Sequence, residues 1–511
     1  MIGSVSTAVT AMNLAPIPLV TPALDESAAP SSSAPPSVIL ALSDGSVTDA
    51  DPTYAALRAT PPRWDHASTD AVTTAMANTY RAASLAGRLA GLGKVSLDRF
   101  ATDGRDYSQT VRAPGLFAGG GRADMTLSVR TASGSTVTLS LQNDEDGLAV
   151  TSRSSASLNE AERAAVAKLA DAFQHAIDGF VAIPPKLDLA GLTQFDPNTL
   201  SSIDLKAEAS VAGAGPQTMT FHADSVSRSV KTTGDLGTID VQVDMGSTAI
   251  LGNATQRAAA VDNYLAQFDK AASRGHGNPA LTAMFKDAFS QLNTPQGSDA
   301  PGLTKAPPLS LSATDHAMMT GLGDFRASVT QTPSASNPRR GDEKDSFSYQ
   351  VSQQTQIGGR DASNRSVTQR QHAQLTASYH TALSAGVDLM LTDDPKSQNY
   401  RYIQIDDSAD TETAIAYQKG QLTLASIKQS ASQSTHQSTY VMGKLVADTT
   451  LPLSRSTTRD LLGLLRPFED DGSAPTRRKQ AEWEQALASI HAGIGLQSDP
   501  TALAAASPRE R

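Results

Sequence analysis

Asp124-Met-Thr-Leu-Ser-Val-Arg130 and Thr136-Val-Thr-Leu-Ser-Leu141, joined by Thr131-Ala-Ser-Gly-Ser135, decide how this chain folds. Met125, Leu127 and Val129 fall on one side of the first segment, and Val137, Leu139 and Leu141 on one side of the second. Alternation with period two is what a strand with one buried face requires, so the pair reads as a hairpin. After the turn Asn143-Asp-Glu-Asp-Gly147 and the short apolar run Leu148–Val150, the period changes. Ser157-Leu-Asn-Glu160 has the spacing of a capping box, and Val166, Leu169, Phe173, Ile177 and Phe180 follow at helical steps. Neither element can bury its apolar face alone, which predicts the helix docked on the sheet. Phe173 is then expected to lie against the Met125–Leu141 hairpin, and Gln174 to face water.

Working outward, Asp70–Leu92 reads as a helix. The sheet-then-helix pattern recurs after Ile183-Pro-Pro-Lys186. Ile203–Val211, Thr218–His222 and Thr238–Val243 alternate as strands, and Asn253 precedes a stripe of Ala258, Val261, Leu265, Phe268 and Ala272. Leu281, Phe285 and Phe289 mark a second helix. Beyond a Pro/Gly-rich stretch, Phe325–Thr330, Ser346–Ile357, Ser366–Tyr379, Tyr400–Ile405, Thr413–Gln418, Gln421–Lys428 and Thr439–Leu445 read as strands rich in outward Gln, Ser and Thr. Thr457–Leu465 and the stripe Trp483, Leu487, Ile490 and Ile494 read as closing helices. The expected class is α+β: antiparallel sheets with packed amphipathic helices and a β-rich C-terminal half. The expected organisation is a disordered tail over 1–62, an α+β region with two hairpin-then-helix units over 63–293, a linker over 294–309, a β-rich domain ending in helices over 310–497, and a frayed tail over 498–511.

Composition narrows the function classes. The 511 residues carry a net charge of −10 and no cysteine, so disulfides, thiolate metal sites and cysteine nucleophiles are excluded. The acidic balance argues against nucleic acid as partner. No run approaches the ~20 apolar residues of a membrane helix. The first Arg or Lys is Arg58, which leaves no charged n-region for a cleavable signal. The Ser/Ala/Pro-rich start fits a leaderless, type III-like export signal or a passive tail, so the cytoplasm and export by that route both stay open.

No catalytic signature is present. Phe117-Ala-Gly-Gly-Gly121 lacks the strand and helix that frame a phosphate loop, and neither a P-loop nor a dinucleotide fingerprint occurs. G-x-S-x-G is missing as well. His372 and His380 stand an even number of positions apart on one predicted strand, roughly 26 Å from each other, too far to share a metal and read as two surface histidines. Asp393, Asp394, Asp406, Asp407 and Asp410, with Glu412, form the densest acidic region, and a hairpin could join them as a hard-cation site. No cofactor is implied, and no catalytic residue can be assigned.

The hairpin, its acidic turn, Leu158-Asn-Glu-Ala-Glu162, the helix ending Ala176-Ile-Asp-Gly-Phe180 and Leu187-Asp-Leu-Ala-Gly-Leu-Thr-Gln-Phe-Asp196 resemble, over about residues 124–210, domain-of-unknown-function proteins of Gram-negative bacteria. That resemblance implies no activity and transfers no site residue. The expected function is non-enzymatic binding or scaffolding with a protein partner; the alternative is a metal-dependent hydrolase using the 393–412 region.

Overall fold

A computed structural model describes residues 61–113, 121–211, 215–294, 309–468 and 476–506, with side chains to 503. The expected N-terminal tail, most of the Phe117–Gly121 run and most of the expected linker lie outside the described residues.

The strands are β1 (Arg63–Trp64), β2 (Tyr107–Arg112), β3 (Arg122–Thr131), β4 (Thr136–Asn143), β5 (Gly147–Ser154), β6 (Leu200–Val211), β7 (Gly215–Asp224), β8 (Ser227–Gly234), β9 (Gly237–Asp244), β10 (Asp324–Gln331), β11 (Ser346–Asp361), β12 (Asn364–Ala382), β13 (Tyr400–Gln418), β14 (Gln421–Val441) and β15 (Lys444–Asp460). The helices are α1 (Ala71–Thr79), α2 (Leu85–Leu89), α3 (Leu92–Asp98), α4 (Glu160–Ala167), α5 (Ala170–Phe180), α6 (Ala254–Gly275), α7 (Pro279–Leu292), α8 (Ala313–Ala317), α9 (Leu462–Leu465), α10 (Arg477–Ala492) and α11 (Pro500–Ala506). All fifteen strands form one antiparallel sheet in the order β1-β2-β5-β4-β3-β6-β7-β8-β9-β10-β11-β12-β13-β14-β15. The chain is α+β with a β-rich C-terminal half. No described helix is long and apolar enough to cross a membrane.

Register, set by alternation, gives the sheet two distinct faces. One row of directly opposed residues runs Val150, Leu141, Met125, Ala207, Met219, Thr232, Ile239, Val329, Tyr349, Leu375, Asp407, Gln433, Leu453. It is apolar up to Leu375, apart from Thr232, turns polar at Asp407 and Gln433, and ends at an exposed Leu453. The row on the opposite face reads Thr151, Ser140, Thr126, Lys206, Thr220, Lys231, Asp240, Ser328, Gln350, Gln374, Ser408, Ser432, Ser454, with no apolar member. Helices stand between strands three times, between β1 and β2, between β5 and β6 and between β9 and β10, and the last two are the recurrence visible in the sequence. β9 and β10 pair residue by residue, so one sheet runs across the expected boundary.

Several local expectations change in detail. The capping box belongs to Asn159 and Glu162 rather than Ser157 and Glu160, so the helix starts at Glu160 and breaks into α4 and α5. The predicted Asp70–Leu92 helix is two short ones, α1 and α2, and α3 starts only at its last residue. Tyr400–Ile405 and Thr413–Gln418 are one strand, β13. Gln421–Lys428 continues as β14 to Val441, so the predicted Thr439–Leu445 strand instead contains the turn from β14 into β15. Thr457–Asp460 is the end of β15 rather than helix. Asn253 does cap α6, in a box with Gln256.

Phe173 is fully buried in the main core. Its helix, α5, lies against α3, and α3 in turn lies against β4 and β5. The close approach needs Gly93, because a Cβ there would come within 2.5 Å of Ile177 Cδ1 and 3.0 Å of Phe173 Cδ1. Gln174 is buried rather than wet: its Oε1 accepts from the Gly93 N–H at 2.9 Å, and its Nε2 donates to Asp178 Oδ1 at 2.7 Å. Two helices packed side by side leave the residue beside the stripe facing the neighbour's open N-terminus, where an amide can satisfy backbone donors.

Candidate functional site

The helix layer leaves a trough of about 680 Å³ between the N-terminal half of α6, α8 and α10. Local sequence sets each wall. The Asn253 box starts α6, the Ser312–Asp315 box starts α8, and Thr476 caps α10. On α10, Ile490 points into the core, while Trp483 and Leu487 from the same predicted stripe line the trough. Ala259, Ala313, Ala317, Ala488 and Ala492 line much of the rest, beside Leu251, Asn253, Gln256 and Glu484, so the concavity exists in part because small side chains face each other.

Two histidines stand in these walls. Burial pushes the pKa of both His316 and His491 down, opposed in His491 by a hydrogen bond with the Thr320 backbone. Both are therefore neutral near pH 7. His316 Nδ1 and His491 Nε2 are closed to water and have no hydrogen-bond partner. An apolar trough with an aromatic and a few polar groups has the makeup of a binding site.

The predicted acidic residues are placed as follows. Asp393 lies in the loop before β13, where its carbonyl accepts from Arg339, and Asp394 caps the single turn Pro395–Ser397. Asp406 and Asp407 are neighbours on β13 and so point to opposite faces. Asp407 is buried on the helix face in a bidentate pair with Arg274. Asp410 faces the polar side, 2.7 Å from His372 Nδ1, and Glu412 pairs with Arg370 at 2.8 Å. Among the described residues no group of three or more His, Asp or Glu side chains is placed to hold a metal ion.

His372 is exposed as expected, but His380 is not: its side chain is 1% exposed. Residues 332–345 fold as a strap over the polar face at that end of β12. His380 Nδ1 lies 2.6 Å from Asp345 Oδ1 and its Nε2 3.2 Å from Glu343 Oε2, while the Tyr400 hydroxyl donates to Glu343 at 2.6 Å. Arg340 lies over the Tyr440 ring. Burial opposes protonation of His380, yet the two carboxylates outweigh it and raise its pKa. Burial likewise opposes ionisation of Asp345, and the bond with His380 outweighs it and lowers that pKa. Strand parity correctly put both histidines on one face; nothing local marked the strap that covers one of them.

This cluster predicts a pH dependence. The His380 contribution is complete below the ordinary histidine value of about 6.5 and disappears as pH rises through the elevated folded value. The Asp345 contribution is present above about 3.9 and is lost as pH falls through the depressed folded value. The strap is therefore expected to be held best between about pH 4 and 6.5. Amide exchange of the Asp345 N–H, which bonds to the Ser334 carbonyl at 2.8 Å, reads this directly once intrinsic rates are removed. Protection should fall on the alkaline side, and His380→Gln should abolish that fall. A wild-type strap equally protected from about pH 6 to 9 would show that the imidazolium does not hold it.

No protein-family model, curated protein or solved structure matches the chain.

Proposed function

We propose that this is a non-enzymatic binding protein, which receives the apolar ridge of a partner protein's helix in the α6–α8–α10 trough. The trough itself carries the reading. Trp483 supplies the kind of aromatic anchor that dominates interface energetics, and the alanines allow close backbone approach. Two neutral imidazoles add no charge, and Glu484 is the one charged residue in the lining. The engagement of Asp407, Asp410 and Glu412 in pairs with Arg274, His372 and Arg370 supports binding over metal-dependent hydrolysis.

Ala488→Arg tests the proposal. Position 488 is exposed on α10 and arginine is a good helix former, so the fold should tolerate a charged side chain projecting into the trough. A partner that the wild-type chain captures from its native cell should bind at least about tenfold more weakly to Ala488→Arg, and unchanged to His372→Ala on the opposite face. Equal capture by Ala488→Arg would overturn the trough as the interface.

A further inference from the structure

A second cavity, of about 260 Å³, lies where the helix-face row changes from apolar to polar. Tyr349, Leu375, Asp407 and Gln433 of that row line it, flanked by α6 and by Ser498 and Asp499 just before α11. We propose that this cavity binds a free α-amino acid with a small side chain that carries a hydroxyl or an amide.

Charge selects a zwitterion. Arg274 and Asp407 already satisfy each other: Arg274 Nη2 donates to Asp407 Oδ1 at 2.9 Å and to Thr435 Oγ1 at 3.1 Å, and the Ser434 N–H donates to Asp407 at 3.2 Å. Lys270 and Asp499 also line the cavity, and neither lies within ion-pair distance of a partner among the described residues. Asp499 Oδ1 accepts from Thr501, and the Lys270 charge acts on Asp499 only through space. A simple carboxylate at Lys270 would meet Asp499 uncompensated, and an amine at Asp499 would meet Lys270. A molecule with both groups satisfies both walls. Asp499 is held ionised, because hydrogen bonds from Thr501 lower its pKa.

Size and depth select the side chain. At roughly 30 Å³ per water-sized group, the volume admits about nine non-hydrogen atoms, the scale of one small amino acid. Ala373 and Ala409 keep the floor low beneath it. Tyr349 is only 3% exposed, and its hydroxyl has no hydrogen-bond partner. A buried donor left unpaired is unfavourable, and a ligand hydroxyl or carbonyl reaching the floor would satisfy it.

Calorimetric titration of the full chain with L-threonine and L-valine, which differ by a hydroxyl in place of a methyl, tests this. Threonine should bind about tenfold tighter than valine, the effect of roughly one hydrogen bond. Tyr349→Phe should weaken threonine to the level of valine and leave valine unchanged. Lys270→Met, at an exposed position that folding tolerates, should weaken both by about tenfold or more. Equal binding of the two amino acids, propionate binding as tightly as threonine, or no binding of either at about 10 mM would each overturn the proposal. Were Tyr349→Phe not to fold, unchanged affinity in Lys270→Met would overturn it alone.

Discussion

Phe173→Ala is expected to destabilise the protein by about 3–5 kcal/mol, the range for emptying an aromatic site in a core. The ring is fully buried where α5 meets α3, and the neighbouring backbone cannot collapse onto the space without moving both helices. Gln174→Ala should be costly too, about 1–3 kcal/mol, because it leaves the Gly93 N–H at the start of α3 buried and unpaired. Lys168→Ala, exposed at the end of α4, should change stability by no more than about 0.5 kcal/mol. Urea unfolding of the full chain measures all three. If Phe173→Ala and Lys168→Ala were alike, α5 would not be packed as described.

Asp315→Ala should cost a similar amount, again about 3–5 kcal/mol, for an electrostatic reason. Asp315 is completely buried, and its Oδ2 accepts from Arg365 Nε at 2.8 Å and from the Ser312 N–H at 2.7 Å. Arg365 is itself buried and lies over the Tyr417 ring at 3.9 Å. Removing the carboxylate strands a guanidinium that is only 8% exposed. The double variant Asp315→Ala/Arg365→Met, with no charge left to strand, should recover much of the loss. The pair also ties α8 to β12, so Asp315→Ala should loosen the trough wall that holds His316. A single-variant cost below about 1 kcal/mol would mean that Arg365 finds water or another partner.

What the sequence determined follows from local physical chemistry. Side-chain alternation in Met125–Arg130, Thr136–Leu141 and Thr238–Val243 fixes which residues of a strand share a face, and that needs no knowledge of the partner strand. The same holds for the Asn253 cap of α6, since the cap bonds within its own helix turn. The buried face of α6, by contrast, runs through Ala260, Tyr264, Phe268 and Ala271, leaving Val261, Leu265 and Ala272 half-buried and Ala258 exposed. The α+β class and the polar outer face were legible for this reason.

What only the tertiary structure decided concerns which polar groups are covered and by what. His372 and His380 have the same parity on β12, but the strap 332–345, distant in sequence from both, buries one of them. Asp406 and Asp407 look equivalent in the chain, yet Asp407 meets Arg274 from α6 while Asp406 meets solvent. Gln174 is buried because α3 presents unsatisfied backbone donors beside it. Lys444–Asp460 alternates too weakly to announce a strand, and the 444–456 stretch is exposed on both faces. It is extended because the long β14 offers it a continuous ladder of backbone hydrogen bonds. In each case the deciding partner lies far along the chain, and local periodicity holds no record of where the fold will bring it.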